Sequence, residues 1–213
     1  MTTNIESVAR LNVSAHRDLP ILRAKRAIVF GAGGSIGAAV AKEFAAEGAE
    51  VFLAGRTESK LEAIVTQIAT TGGRAHAAVV NALDDLAVDE YIDDIVKEAG
   101  KIDVVFNAVG PLVTEYGNGK HAVDSTVEEF MIPVTTVLKS QFITARAAAR
   151  HMVKQRSGVI ILLTGSPARG HVEGATAIGS AFGAVESLTE NLALEVGAAG
   201  VRVVCLRDRK SVV

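Results

Sequence analysis

Short apolar segments rich in Val and Ile alternate along this chain with segments whose apolar residues recur at helical spacing. Such apolar runs are typical of strands that are covered on both faces. They occupy residues 27–30, 50–54, 75–80, 103–108, 159–164 and 201–206. The helical spacing covers residues 35–47, 59–71, 89–99, 126–153 and 175–197. The pattern therefore predicts six strands and five helices in alternation.

This alternation indicates the fold class, because a helix between two strands usually returns the chain to a parallel neighbour through a right-handed crossover. We predict an α/β protein with a doubly wound, mostly parallel sheet, the Rossmann fold. Ligands of such sheets bind at the carboxyl ends of the strands. We divide the chain into an N-terminal extension, residues 1–24, and a single domain of this fold, residues 25–213.

Composition narrows the function classes. The 213 residues are 49% hydrophobic and 22% charged, with a formal net charge of −2, which is typical of a packed globular protein. The low net charge and the lack of Trp argue against nucleic acid. No apolar run is long enough for a membrane span, and we expect a cytoplasmic protein. With the single cysteine Cys205 and no ligand spacing among the histidines, we expect no metal.

A glycine-rich loop, in the sequence FGAGGSIGAAVA, lies between the first strand and the first helix. Glycine permits a tight, left-handed backbone and lets main-chain N–H groups approach a pyrophosphate at a helix N-terminus. Because a strand precedes the loop and a helix follows it, we interpret it as a dinucleotide-binding turn rather than a structural turn. The candidate phosphate-binding residues are Gly31, Gly33, Gly34, Ser35, Ile36 and Gly37.

The residues after the second strand indicate which dinucleotide binds. An acidic residue there would bind the ribose hydroxyls of NAD and repel the 2′-phosphate of NADP. This chain has Arg56 at that point, followed by Thr57, with Ser59 and Lys60 nearby. We therefore predict NADP as the cofactor, with NAD less favoured. Glu58 opposes this interpretation, and a solvated loop cation is the alternative role for Arg56.

With the glycine loop, AGR after strand two, FNAVG after strand four and SLTENLALEVGAAGVRV near the end, the chain resembles the short-chain dehydrogenase/reductase family over about residues 25–206. The resemblance implies that Asn81 stands for an Asp that contacts adenine. The residues that it places beneath the nicotinamide are Asn107, Ala108, Val109 and Gly110. It also implies a small-molecule substrate and a homo-oligomer formed through the last two long helices.

The sequence departs from this family at the catalytic positions. The family's Tyr-x-x-x-Lys pair falls on Ile178 and Phe182, and its upstream helical Asn falls on Val137. Its serine is retained as Ser166, with Thr164 as the less favoured equivalent. The chain ends in RDRKSVV, where the family continues through a substrate-binding segment, so the resemblance implies an incomplete or altered substrate pocket.

Two functions fit these observations. The first is an NADP-dependent oxidoreductase for a small carbonyl or hydroxyl substrate, in which Ser166 donates a hydrogen bond and His171 or Tyr116 supplies the proton. The second is a catalytically silent NADP-binding protein with a regulatory or assembly role. A surface position for His171 and a packing role for Tyr116 are the structural alternatives.

Overall fold

The structure is a computed structural model that describes residues 20–208. Most of the predicted N-terminal extension, residues 1–19, lies outside the described residues. The same is true of the C-terminal residues 209–213. None of the helices between residues 20 and 208 is long and apolar enough to cross a membrane.

Within residues 20–208, six strands form one sheet in the order β3-β2-β1-β4-β5-β6, and each neighbouring pair is parallel. The strands are β1 (Arg26–Phe30), β2 (Glu50–Gly55), β3 (Arg74–Val79), β4 (Val104–Asn107), β5 (Gly158–Gly165) and β6 (Val201–Asp208). The predicted doubly wound sheet is thereby confirmed. The strand order reverses between β1 and β4, and sheets of this type bind ligands at the carboxyl side of such a switch point.

Helices cover both faces of the sheet. They are α1 (Ser35–Ala46), α2 (Glu58–Thr70), α3 (Asp85–Ala99), α4 (Val127–Pro133), α5 (Lys139–Gln155), α6 (Pro167–Gly170) and α7 (Thr176–Gly197). A 3₁₀ turn, Ala122–Asp124, precedes α4, and a π turn, Val134–Leu138, joins α4 to α5.

Two hydrophobic cores follow from the alternation of side chains along the strands. In β1, Ala27 and Val29 belong to the core beneath α1 and α2, whereas Ile28 and Phe30 belong to the core that includes residues of α3, α5 and α7. All four side chains are fully buried. Because successive residues of a strand point to opposite faces, a central strand covered on both sides has to be apolar throughout.

Three helical features differ from the sequence prediction. Helix α3 begins at Asp85 rather than Asp89, because the Asp84 side chain caps it by accepting a hydrogen bond from the Ala87 N–H at 3.1 Å. The predicted helix 126–153 is divided into α4, the π turn and α5, with Pro133, which has no N–H to donate, at the junction. Helix α6 was not predicted, and Pro167 stands at its first position, where proline favours a helical start.

Candidate functional site

A cleft of about 250 Å³ opens at the carboxyl ends of β1, β2, β3 and β4, on the side of the switch point that the fold predicts for a ligand. Its lining consists of Gly31, Gly33, Gly34, Gly55, Arg56, Thr57, Lys60, Val80, Asn81, Ala82, Leu83, Ala108, Val109, Gly110, Leu112 and Thr136. The cleft therefore brings together nine of the thirteen residues that the sequence assigns to the cofactor. The other four, Ser35, Ile36, Gly37 and Asn107, do not line it.

The glycines of the loop after β1 have different surroundings. Gly31 has a φ of +72°, and a Cβ there would lie 2.8 Å from the carbonyl carbon of Ala108. A Cβ on Gly37 would lie 2.3 Å from the carbonyl oxygen of Gly31. These two positions require glycine because the backbone packs against itself. A Cβ on Gly33, by contrast, would meet the Lys60 side chain only in ordinary contact at 3.5 Å. Gly33 thus presents its backbone to the cleft.

The N-terminus of α1 supplies hydrogen-bond donors beside this loop. The Ala38 N–H donates to the Gly34 carbonyl at 2.8 Å and closes the first turn. The N–H groups of Ser35, Ile36 and Gly37 precede it and have no acceptor within the helix. The first turn holds no acidic side chain, and no side chain caps it. This positive end of the helix can therefore bind a phosphate through the backbone alone.

Two cationic side chains stand at one wall of the cleft. Arg56 follows β2, and Lys60 lies in the first turns of α2. Both residues are exposed, and neither side chain has a hydrogen bond or ion pair within the described part of the chain. Glu58, which lies between them in sequence, is not part of the lining. The wall therefore carries two positive charges that no neighbouring carboxylate neutralises.

Residues 80–83, of which only Asn81 was predicted as a site residue, also line the cleft. The Oδ1 of Asn81 accepts a hydrogen bond from the Leu83 N–H at 3.2 Å, which leaves its amide group as a potential donor. Val80 and Ala82 are buried beside it. The signal that could have identified Val80, Ala82 and Leu83 is their position at the carboxyl end of the third strand.

Asn107 does not line the cleft but holds residues that do. Its side chain is fully buried, donates to the Thr144 hydroxyl at 2.9 Å and accepts from the Val109 N–H at 2.8 Å. The Gln141 amide donates to the carbonyls of Asn107 and Leu163, both at 3.3 Å. This network fixes the ends of β4 and β5, so Asn107 positions the lining residues that follow it instead of facing a ligand.

The three candidate catalytic residues lie outside the cleft lining. The Ser166 hydroxyl donates to the backbone carbonyl of Asp208 at 3.2 Å. Tyr116 has a buried ring, and burial raises the pKa of its hydroxyl. His171 is exposed and has a φ of +48°, at the end of α6. The structure thus places all three on connections that follow β4 or β5, but does not bring them together at the nucleotide cleft.

Apolar side chains occupy the positions at which the sequence resemblance expects the family's polar catalytic residues. Ile178 and Val137 are 7% and 2% exposed and belong to one hydrophobic core, against which the half-buried Phe182 packs. These side chains can neither donate a proton nor lower the pKa of a neighbour. The polar side chains that remain as catalytic candidates on the connections after β4 and β5 are therefore Ser166, Tyr116 and His171.

Comparison with known proteins agrees with this arrangement. The family model for short chain dehydrogenases matches residues 25–207. The short-chain reductase protein NovJ of Streptomyces niveus is 35% identical over 177 residues, which cover 83% of this chain and 65% of NovJ. The chain thus spans less than two thirds of the length of that relative.

Two solved structures are similar in fold. NAD⁺-bound xylitol dehydrogenase has a TM-score of 0.83 and 28% identity, over 89% of this chain and 71% of the other. A metagenomic short-chain oxidoreductase in complex with NADP has a TM-score of 0.79 and 25% identity, over 87% of this chain and 82% of the other. Because they hold different cofactors, the likeness does not distinguish NAD from NADP. The glycine-loop cleft and these matches establish that the chain belongs to the short-chain dehydrogenase/reductase family of NAD(P)-dependent oxidoreductases.

Proposed function

We propose that this protein is an NADP-dependent oxidoreductase that acts on a small carbonyl or hydroxyl substrate with a non-standard proton donor. The observation that carries the proposal is the cleft itself. It combines a glycine loop at a helix N-terminus with Arg56 and Lys60, whose charges have no partner within the described residues. A 2′-phosphate would neutralise these charges, whereas the ribose hydroxyls of NAD would not.

The residues of the cleft fit the parts of an NADP molecule. The backbone of Gly33, Gly34 and the first turn of α1 would hold the pyrophosphate, and Arg56 with Lys60 the 2′-phosphate. Asn81 would hydrogen-bond adenine, and the backbone of residues 108–110 would lie beside the nicotinamide. The bound cofactor would supply or accept a hydride, so the protein has to orient the substrate and manage one proton.

The reaction also needs a residue that exchanges a proton with the substrate oxygen. We propose that the Ser166 hydroxyl turns from the Asp208 carbonyl, to which it donates at 3.2 Å, and donates to the substrate oxygen instead, and that Tyr116 or His171 exchanges the proton. Burial raises the pKa of Tyr116, so its hydroxyl stays protonated at neutral pH and can donate. Within residues 20–208 that hydroxyl has no hydrogen-bond partner. The exposed imidazole of His171 can exchange its proton with solvent directly.

Turnover measurements test this proposal. NADPH oxidation is followed with a panel of carbonyl, enone and imine substrates, first for the unmodified chain and then for Ser166→Ala, Tyr116→Phe and His171→Gln. We expect turnover that Ser166→Ala reduces by about 10²-fold or more and that one of the other two variants also reduces. Ser187→Ala, an exposed serine on α7, is the matched control and should retain full activity. NADPH binding without oxidation of any substrate would instead support the catalytically silent alternative.

We also propose that the protein is a homo-oligomer. A groove of about 460 Å³ runs between α5 and α7, and Leu188 and Leu192 of α7 contribute to its lining. Phe142 and Val153 of α5 line the same groove and are 47% and 39% exposed. A large apolar surface shared by two long helices favours burial against the same surface of a second copy.

A further inference from the structure

A second groove, of about 420 Å³, shares no lining residue with the cofactor cleft. Arg26 and Glu50, which belong to its lining, are the first residues of β1 and β2. The groove therefore begins at the amino ends of these strands and extends along β3 to Ala78, whereas the cofactor cleft is at the carboxyl ends. Its volume falls in the range of small-molecule sites. We refer to it as the α3 groove, since α3 forms one of its walls.

Aromatic side chains line the α3 groove. The rings of Phe52 and His76 lie side by side on neighbouring strands, stacked with their centroids 5.0 Å apart. Tyr91 of α3 meets Phe30 edge-on, and its hydroxyl has no hydrogen-bond partner within residues 20–208. Ala78, which is small and lies two residues after His76 on the same face of β3, leaves open space beside these rings. Flat, polarisable surfaces of this kind bind apolar and cationic groups.

The charges of the groove are unbalanced. Glu50 has partners on both oxygens, because they lie 3.1 Å from the His76 Nε2 and 3.9 Å from the Arg26 Nε. Asp94 and Glu98 of α3 also line the groove, and neither carboxylate has a hydrogen bond or ion pair in the part of the chain that the structure describes. The groove thus retains two unpaired negative charges.

The two carboxylates lie on one face of α3. Asp94 and Glu98 are four residues apart, a spacing at which like charges repel each other across one helical turn. Lys97, three residues after Asp94 and in the last turn of α3, offsets part of this repulsion. A cation bound beside both carboxylates would offset the rest.

We propose that the α3 groove binds a small organic cation, an amine with an aromatic or alkyl body. The ammonium group pairs with Asp94 and Glu98, and the body lies against Tyr91 and the Phe52–His76 pair. This site does not depend on the proposed NADP chemistry, because its residues are separate from those of the cofactor cleft.

The probe is phenethylammonium, and 2-phenylethanol, which has the same body without the charge, is the matched ligand. Titrations of the ¹⁵N-labelled chain are followed through its backbone amide signals. We expect phenethylammonium to shift signals of α3 and of β2–β3, and to bind at least about tenfold more tightly than 2-phenylethanol, a difference of about 1.4 kcal/mol. Added salt should weaken the binding.

Two double variants distinguish binding in the α3 groove from a non-specific effect of surface charge. Asp94→Asn with Glu98→Gln preserves shape and should weaken phenethylammonium binding by at least about tenfold. Glu43→Gln with Glu62→Gln removes two exposed carboxylates from α1 and α2 and should leave the affinity unchanged. Equal binding of the two ligands, or unchanged binding by the Asp94/Glu98 variant, would overturn the proposal whatever the outcome with NADPH.

Discussion

At the scale of single residues, the glycine loop shows what a sequence motif can and cannot predict. Its position between a strand and a helix was sufficient to locate the nucleotide cleft. The motif does not distinguish Gly31 and Gly37, where an added Cβ would lie under 3 Å from other backbone atoms, from Gly33, which has room for a methyl group. For Gly37 this depends on how the loop folds on itself, and for Gly31 on how it packs against Ala108, over 70 positions away.

The structure predicts that Gly33→Ala weakens NADPH binding without harming the fold. The added methyl would make only ordinary contact with Lys60, yet it would occupy the space through which the backbone meets a pyrophosphate. We expect affinity to fall by at least about tenfold, as measured by calorimetry. The free energy of unfolding should change by less than about 1 kcal/mol.

Gly37→Ala is the contrasting variant. Its Cβ would lie 2.3 Å from the Gly31 carbonyl oxygen, so the loop has to shift, and stability should fall by about 1–3 kcal/mol. If Gly33→Ala bound NADPH as tightly as the unmodified chain, the cofactor would not lie against the backbone of Gly33, and the prediction would be wrong.

The catalytic candidates were harder to predict at this scale. Sequence order places Ser166, Tyr116 and His171 near strand ends, but it gives no information on which hydroxyl is already engaged. The backbone carbonyl that accepts from Ser166 belongs to β6, 42 positions later in the chain. The pairing of β5 with β6 from Gly158 to Gly165 brings the two together.

At the scale of elements, all six strands were predictable because each is an apolar run with a clear beginning and end. The π turn after Pro133 was not predictable, because it depends on how a packed helix accommodates the missing N–H of this proline. The early start of α3 was within reach of the sequence, since Asp84 is a capping residue type. The apolar periodicity alone begins later, with Val88, Ile92 and Ile95 as the buried positions.

Asp103 joins the amino ends of the two central strands. It accepts hydrogen bonds from the Arg26 N–H at 3.0 Å and from Lys101 at 2.8 Å, and its own N–H donates to the Arg26 carbonyl at 2.9 Å. Burial acts to raise the pKa of its carboxyl, but the bonds from Lys101 and Arg26 outweigh burial and hold the pKa below its usual value. The ionised form is therefore the one that the fold stabilises.

Asp103→Asn should destabilise the protein by about 1–2 kcal/mol at pH 7, since a charged acceptor is replaced by a neutral one. A carboxyl whose pKa is lower in the folded state contributes its stability above the unfolded pKa, near 3.9, and loses it as the pH falls through the folded pKa. The difference between the two proteins in urea denaturation should therefore shrink below about pH 4. Asp124→Asn, at an exposed aspartate, is the control and should leave stability unchanged. If the stability difference between Asp103→Asn and the unmodified protein were constant from pH 7 to pH 3, or absent at pH 7, the prediction would be wrong.

At the scale of the whole molecule, the sheet creates two ends with different chemistry. The carboxyl ends of the strands form the nucleotide cleft, and the amino ends of β1 and β2 form the α3 groove together with β3 and α3. The first was predictable, because the chain order of strands and helices fixes where a switch point lies. The second was not, because its lining comes from three strands and a helix whose residues share no motif.

The α5–α7 surface predicts a specific effect on assembly. Phe142→Glu places a charge in the apolar groove between these helices, and its exposed position should spare the fold. We expect the unmodified chain to sediment as a dimer or larger assembly and the variant as a monomer. Leu194→Glu, at an 82% exposed residue of α7 outside the groove, should not change the assembly. An unmodified chain that is monomeric at tens of micromolar would contradict the oligomer proposal.

We propose that the cleft at the switch point selects NADP through Arg56 and Lys60. Calorimetric titration of the protein with NADPH and with NADH, repeated for Arg56→Gln, tests this selection. We expect NADPH to bind at least about tenfold more tightly than NADH, and the variant to lose most of this preference while it keeps its affinity for NADH. Binding of neither cofactor, or tighter binding of NADH by the unmodified chain, would contradict the claim.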